Sequence, residues 1–214
     1  MTETLSGDES LIFREFDAPP SNPLLLASEW FAGAQARGVR EPWVASLATV
    51  GSDVEDGYPL PSTRMVLIKE LDAEGFVFTT YGSSRKGRDL ALNPRASLVF
   101  YWRETMQQLR VDGVVRRLED HESDELFAER PRVAQATTAV SHQGRDLVDE
   151  GMLAAEACRL VDGVEVIPRP ADWAGYRLTP TAIEFWQGRT DRLHRRLAYR
   201  LTDGTGWRAV RLQP

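Results

Sequence analysis

Cysteine is almost missing from this chain: Cys158 is the only one in 214 residues. A single thiol closes no internal disulfide, so nothing here calls for an oxidising compartment. In "MLAAEACRLVD" it sits in a helical pattern of small residues with no activating neighbour, and a buried structural thiol is expected. Long apolar runs are also missing, and none approaches the ~18 residues that suggest a membrane span. The first ten residues, "MTETLSGDES", are acidic and polar, unlike a signal or transit peptide. A soluble, cytoplasmic protein is expected, with no membrane partner. Positive charge is in deficit, 26 Lys and Arg against 32 Asp and Glu, which argues against nucleic acid as a partner. Histidine is scarce. His121 lies between Asp120 and Glu122, but three adjacent residues rarely converge on one ion, so a surface helix start is expected and no metal. There is no GxGxxG and no GxxxxGK[ST], which speaks against a Rossmann fold and a P-loop. Internal repeats and low-complexity tracts are absent.

What is present is a chain long enough for a real core. Residues 1–21 are polar, contain "DAPPSNP", and read as a flexible arm whose later part can lie on the fold or on a partner subunit. Residues 22–214 read as one domain. Asn22 is a good N-cap and Pro23 suits the first helical position, so a helix should run from Pro23 to near Gly38. "WVASLATV", "TRMVLIKEL" and "FVFTTY" read as strands, the last two joined by a "DAEG" hairpin turn. "SSRKGRDLALNP" reads as a short helix capped by Ser83 or Ser84. "ASLVFYW" and "QQLRVDGVVRRL" form another strand pair. Helices return in "DHESDELFAERP", capped by Asp120 or Ser123, and in "DEGMLAAEACRLVDG". "ADWAGYRLTPTAIEFWQG" reads as two strands around Thr179-Pro180. The tail reads as a hairpin turning at residues 203–206. Antiparallel hairpins with helices between them define an α+β fold around a mostly antiparallel β-barrel with peripheral helices.

Two basic stretches stand out in this acidic chain. "EFWQGRTDRLHRRLAYR", from Glu184 to Arg200, holds five arginines and a histidine. It permits a helix or a strand, and the "TDGTG" turn with "WRAVRL" beyond it favours the strand. Arg192, His194 and Arg196 would then share one face over ~13 Å, enough to meet two small anionic ligands. A solvated, charged edge strand is the equally weighted alternative. The second stretch supplies Arg64, Lys69, Arg85, Lys86 and Arg88. A Ser-Ser-Arg-Lys run at a helix start can bind phosphate through free N–H groups and the helix dipole, although a solvated helix start is the commoner outcome. Strand parity puts Arg64 and Lys69 on opposite faces unless a bulge intervenes.

Eight segments appear in order: "TRMVLIK", "FVFTTYGSSRKGRDL", "NPRASLVFYW", "QQLRVDG", "ERPR", "SHQ", "IEFWQGRTDRLHRR" and the terminal "RLQP". Together, over about Trp43 to Pro214, they resemble the pyridoxine 5′-phosphate oxidase family of FMN-binding split-barrel proteins. The resemblance implies FMN as cofactor and a homodimer with FMN at the subunit interface. Arg64, Met65, Val66, Leu67, Ile68 and Lys69 would lie along the flavin. Thr79, Thr80, Ser84, Arg85 and Lys86 would hold its phosphate. Gln108, Gln143, Trp186 and Arg196 would complete the cofactor site across two subunits. Lys69, Arg130, Arg192 and His194 would bind substrate, with Arg192 and His194 nearest the chemistry.

The sequence departs from the family in its substrate phosphate pocket, where a tyrosine and a serine correspond to Leu126 and Ala134. Losing two donors disfavours a phosphate dianion. "YWRETMQQ", "SHQ" and "DRLHRRLAY" are similar to the phenazine-biosynthesis branch. That branch implies oxidation of a reduced phenazine carboxylic acid toward the aromatic tricycle, with hydride passing to flavin N5 and O2 reoxidising FMN to give H2O2. Two alternatives stand beside it: a pyridoxine phosphate oxidase, and a split-barrel module that binds flavin without turnover. Retention of Lys69, Arg130, Arg192 and His194 argues against the second of these.

Overall fold

The fold was obtained as a computed structural model. The structure describes residues 7–8, 10–55, 57–163, 166–202 and 206–214. Among these residues five α-helices and eight strands follow one another. They are α1 (Pro23–Ala36), β1 (Val44–Glu55), β2 (Tyr58–Leu71), β3 (Phe76–Tyr81), α2 (Arg85–Leu92), β4 (Arg95–Trp102), β5 (Gln107–Arg117), α3 (Asp120–Ala128), α4 (Arg132–Val140), α5 (Glu150–Gly163), β6 (Trp173–Gln187), β7 (Arg195–Leu201) and β8 (Trp207–Leu212).

All strand pairs are antiparallel, in the order β3-β2-β1-β4-β5-β6-β7-β8, and a further β3–β6 pairing closes the first six into a barrel. Local sequence explains this. β4 and β5 alternate, so that Ala96, Leu98, Phe100, Trp102, Leu109 and Val111 all point inward. The "DAEG" turn forms as expected: Asp72 Oδ1 accepts from the N–H groups of Glu74 (2.7 Å) and Gly75 (2.9 Å). Gly75 has φ +145°, and a Cβ there would meet the Leu178 carbonyl of β6. At the end of the turn, Arg177 of β6 pairs with Asp72 (2.6 Å) and Glu74 (2.5 Å).

Asn22 caps α1 by accepting from Leu24 N (2.9 Å), and Pro23 opens it. The helix lays Trp30 and Phe31 against the barrel residues Phe76, Phe100, Trp102 and Phe185. Side chains of this size each contribute roughly 1.5–3 kcal/mol when buried. The arm expected over residues 1–21 joins this core in its later part. Phe16, in a short 3₁₀ turn over Arg14–Phe16, is fully buried, and Phe13 is nearly so. Gln187 donates to the Leu11 carbonyl (3.2 Å), Arg195 pairs with Asp17 (2.6 Å), and Tyr199 donates to the Pro20 carbonyl (2.9 Å). The segment is thereby laced to β6 and β7.

Several expectations are corrected. "ADWAGYRLTPTAIEFWQG" is one strand, β6, and not two. Pro180 has no N–H to give, and β6 accommodates it with one extra residue, Thr181, opposite Asp112/Gly113 instead of a break. β6 pairs with β3 over its first half and with β7 over its second. α3 is capped by Glu119, whose capping box with Glu122 displaces Asp120 and Ser123 from that role. Cys158 is exposed on α5, a helix with no buried residue, so it is not a core thiol. α4 was not foreseen. The expected turn at 203–206 lies largely outside the described residues, although Thr202 N donates to Gly206 O (2.9 Å). Among the described residues no helix is long and apolar enough to cross a membrane, and no acidic, His or Cys cluster could hold a metal.

Candidate functional site

Beside β2 and β3 lies a cavity of about 440 Å³. Its walls include Arg64, Met65, Val66, Leu67, Lys69, Thr79, Thr80, Lys86, Arg130, Ala134 and Gln143. Most of the residues expected to bind the cofactor are therefore gathered in one place. Arg64 and Lys69 keep opposite strand parity, since burial alternates without a break between them, and both line the cavity because it takes residues from both faces of β2, Met65, Val66 and Leu67 included. Ile68 is not in the lining; its side chain is buried in the barrel core.

Arg64 is held firmly. Its Nη1 donates to the Leu47 carbonyl (3.1 Å) and to Thr49 Oγ1 (2.7 Å), and Nη2 donates to Ser62 Oγ (2.7 Å). Thr49 in turn donates to the buried carboxylate of Asp89 (2.6 Å), which lies 3.8 Å from Arg64. Neither Thr49 nor Asp89 was foreseen. The available signal was the position of Asp89 four residues beyond Arg85 on the same short helix.

α2 starts as the sequence predicts. Ser84 is its N-cap: Oγ accepts from Gly87 N (3.2 Å) and donates to the Tyr81 carbonyl (2.7 Å). Arg85 is the first helical residue and is exposed. Lys86 is buried, and its Nζ donates to Gln143 Oε1 (3.1 Å), which also accepts from Thr80 Oγ1 (3.2 Å). Burial, helped by the nearby Arg64, pulls the Lys86 ammonium down from 10.5 to about 8. Burial, with Arg130 as the neighbouring cation, also lowers Lys69.

Arg130 precedes α4 and donates to Thr138 Oγ1 (3.0 Å), with its guanidinium 5.1 Å from the Trp173 ring centre. Its Nε is buried without a hydrogen-bond partner. Among the described residues, no carboxylate lies within 4 Å of Lys69, Lys86 or Arg130 in an ion pair. Three partly desolvated cations facing one cavity, with Glu129 acting on Lys69 only from a distance, make a site for an anion. Leu126 lies just beyond it, in a neighbouring recess shared with Lys69 and Glu129.

The other expected residues form a second group, outside this lining. Gln108, Trp186 and Arg196 lie side by side on β5, β6 and β7, as successive register partners. Arg196 Nε donates to Glu184 Oε1 (2.6 Å), and Arg110 pairs with the other oxygen (3.2 Å). That hydrogen bond raises the Arg196 guanidinium above its ordinary value. Glu184 was also not foreseen, although it stands two residues before Trp186 on the same strand face.

Arg192 and His194 do not share a strand with Arg196. β7 begins only at Arg195. Before it, Asp191 Oδ1 accepts from Leu193 N (2.9 Å), and Arg192 takes a left-handed φ of 66°. A side-chain carboxylate that captures the local backbone N–H groups competes with the strand ladder, and here it wins. His194 still lies beside Trp186, with ring centres 4.9 Å apart.

An antiparallel barrel with a cationic pocket against one strand pair, and a second cluster of polar and aromatic groups on its C-terminal strands, defines a class of anion-binding split barrels. Residues 32–161 match the family model of pyridoxamine 5′-phosphate oxidase, and residues 173–214 match the pyridoxine 5′-phosphate oxidase C-terminal dimerisation region. The chain belongs to the pyridoxine 5′-phosphate oxidase family, whose members are FMN-dependent oxidases, and its fold is the FMN-binding split barrel.

A pyridoxine/pyridoxamine 5′-phosphate oxidase of Cupriavidus taiwanensis is 47% identical over 205 residues, covering 94% of this chain and 92% of that one. A dihydrophenazinedicarboxylate synthase of Burkholderia lata is 41% identical over 212 residues, covering 99% and 97%. The crystal structure of PhzG from Burkholderia lata, in complex with tetrahydrophenazine-1-carboxylic acid, superposes with TM-score 0.90 at 42% identity, covering 97% of this chain and all of that one.

Proposed function

We propose that this protein is an FMN-dependent oxidase of phenazine biosynthesis, acting on a reduced phenazine carboxylic acid. The donor set fits FMN. A phosphate calls for several charge-assisted donors: Ser84, Arg85 and Lys86 stand at the start of α2, Thr80 at the end of β3 lies 3.2 Å from Ser84, and among the described residues no carboxylate is paired to Lys86. When bound, FMN supplies the hydride acceptor at N5 and its own reoxidation by O2 to give H2O2. The protein's part is to bind, orient and exclude water. Arg64 and Lys86 supply positive charge, and Gln143 supplies a polar edge. Lys69 and Arg130 hold the substrate carboxylate. Gln108, Trp186, Arg192, His194 and Arg196 come from the second subunit of a homodimer. The match to a dimerisation region supports that arrangement.

The observation that carries the substrate is Ala134, which puts a methyl group on the cavity wall next to Arg130. A hydroxyl there would serve a phosphate, whereas an apolar wall serves a flat tricycle. A second reading, oxidation of pyridoxine or pyridoxamine 5′-phosphate, is favoured by the identity to the Cupriavidus taiwanensis enzyme.

Oxygen uptake by the FMN-loaded protein separates the two. Each missing hydrogen bond to a charged group is worth about 1.5–3 kcal/mol, so two lost donors weaken pyridoxine phosphate at least about a hundredfold in kcat/KM. The double variant L126Y/A134S should recover part of that loss. Efficient turnover of pyridoxine 5′-phosphate with none of tetrahydrophenazine-1-carboxylic acid would reverse the assignment.

A further inference from the structure

His194 has one ring nitrogen committed. Its Nδ1 lies 3.1 Å from the backbone nitrogen of Arg189, which donates to it. The identity of that donor decides the tautomer. A hydroxyl or a side-chain amide could exchange roles with a ring nitrogen, but a peptide N–H can only give its proton. Nδ1 is therefore an acceptor and carries no hydrogen, and the neutral ring must hold its hydrogen on Nε2.

The surroundings keep this arrangement in place. Arg189 forms a two-pronged pair with Asp191 (3.1 Å from Nε, 2.6 Å from Nη2), and Asp191 also takes the Leu193 N–H. Arg192 N donates back to the Arg189 carbonyl (3.2 Å), and Gly188 N is tied to the Met106 carbonyl (2.7 Å). The turn holding the Arg189 peptide is thus fixed at both ends. The Trp186 ring, tilted by 42°, limits rotation of the imidazole. For Nε2 to offer a lone pair, the hydrogen would have to move to Nδ1, where it would point at the Arg189 N–H and break that bond.

We infer that the 188–194 turn presents His194 to substrate as an Nε2–H hydrogen-bond donor and withholds it from service as a general base. Its partner is an acceptor atom of the substrate, a carboxylate oxygen or an unprotonated ring nitrogen. Asp191 is a positioning residue, acting through Arg189. The tautomer follows from the turn alone; that the ring meets substrate, and the identity of the acceptor, rest on the function proposed above.

Two measurements test this. In FMN-loaded protein labelled with ¹⁵N-histidine, a long-range ¹H–¹⁵N correlation spectrum reads the tautomer directly. The His194 signals are assigned by their loss in H194Q, which leaves those of His121 and His142. The expected pattern is Nε2–H, shifting toward a mixture in D191A. The second measurement compares H194Q with H194A on tetrahydrophenazine-1-carboxylic acid. Glutamine retains an N–H donor but cannot act as a base. It should keep kcat/KM within about tenfold of wild type and at least about tenfold above alanine. An Nδ1–H pattern in the wild type, or H194Q as impaired as H194A, overturns the inference. If the wild-type protein leaves the phenazine untouched, the substrate assignment fails while the spectrum still decides the tautomer. The variants are then compared on pyridoxine 5′-phosphate.

Discussion

Flavin affinity should depend on pH through Lys86. Burial in the cavity lowers its ammonium from 10.5 to about 8. At about 1.4 kcal/mol per pH unit, holding that charge without a partner anion costs on the order of 3 kcal/mol. A phosphate dianion beside Nζ removes much of this cost and raises the Lys86 value again. Its second proton dissociates near pH 6, so the ligand itself does not change charge above pH 7. Binding FMN to apoprotein therefore takes up one proton once the pH exceeds about 8. The dissociation constant should be flat below that pH and rise toward tenfold per unit above it, or about tenfold between pH 7 and pH 9. Quenching of flavin fluorescence on titration of apoprotein reads this directly. Riboflavin, which lacks the phosphate, should show no such rise. K86M should bind FMN more weakly at pH 7 and lose the slope. A flat wild-type curve from pH 7 to pH 9, or an equal slope for riboflavin or for K86M, would refute the reasoning.

The same lysine has the opposite effect on the empty protein. The unfolded chain keeps the ordinary value and binds more protons between about 8 and 10.5, so apoprotein stability rises with pH across that window and carries the full penalty below it. Apo K86M should therefore exceed wild type by about 1–3 kcal/mol at pH 7 in urea unfolding and converge with it near pH 10. Phe16, fully buried, makes the N-terminal segment part of the domain. F16A should lose about 3–5 kcal/mol, seen as a melting point lower by roughly 10 °C, and an unchanged melting point would return residues 11–20 to the status of a loose arm.

Legibility in the sequence followed locality. Asn22-Pro23, the "DAEG" turn and the Ser84 cap are short-range devices whose chemistry is complete within four residues, and each forms as expected. The anion cavity was legible because its cations cluster on β2 and at the start of α2. Its supports were not, because Thr49 and Asp89 act on an arginine brought to them by pairing between strands and between helix and sheet, and Glu184 of the second group meets Arg196 in the same way. α4 escaped notice although Val133, Ala136 and Val140 fall at i, i+3 and i+7, because the segment is short, carries two threonines, and buries only Ala136 and Thr138. The strand assigned to residues 192–196 failed over a single side chain: Asp191 was present in the quoted stretch, but only the fold shows its oxygen taking the N–H of Leu193.

The β3–β6 seam carries a consequence for how the molecule assembles. It joins Phe76 to Leu178 and Tyr81 to Trp173, partners about a hundred residues apart in the chain. Hairpins such as β2–β3 and β7–β8 need only short loops, but this ring closes when the most distant segments meet, and such pairings are the slow events of folding. The cavity stands against β3, and Arg130 reaches it while lying over Trp173 of β6. Before the seam forms, the pieces of the pocket exist but the pocket does not. Uptake of flavin during refolding should therefore lag behind strand formation and report the moment the barrel closes.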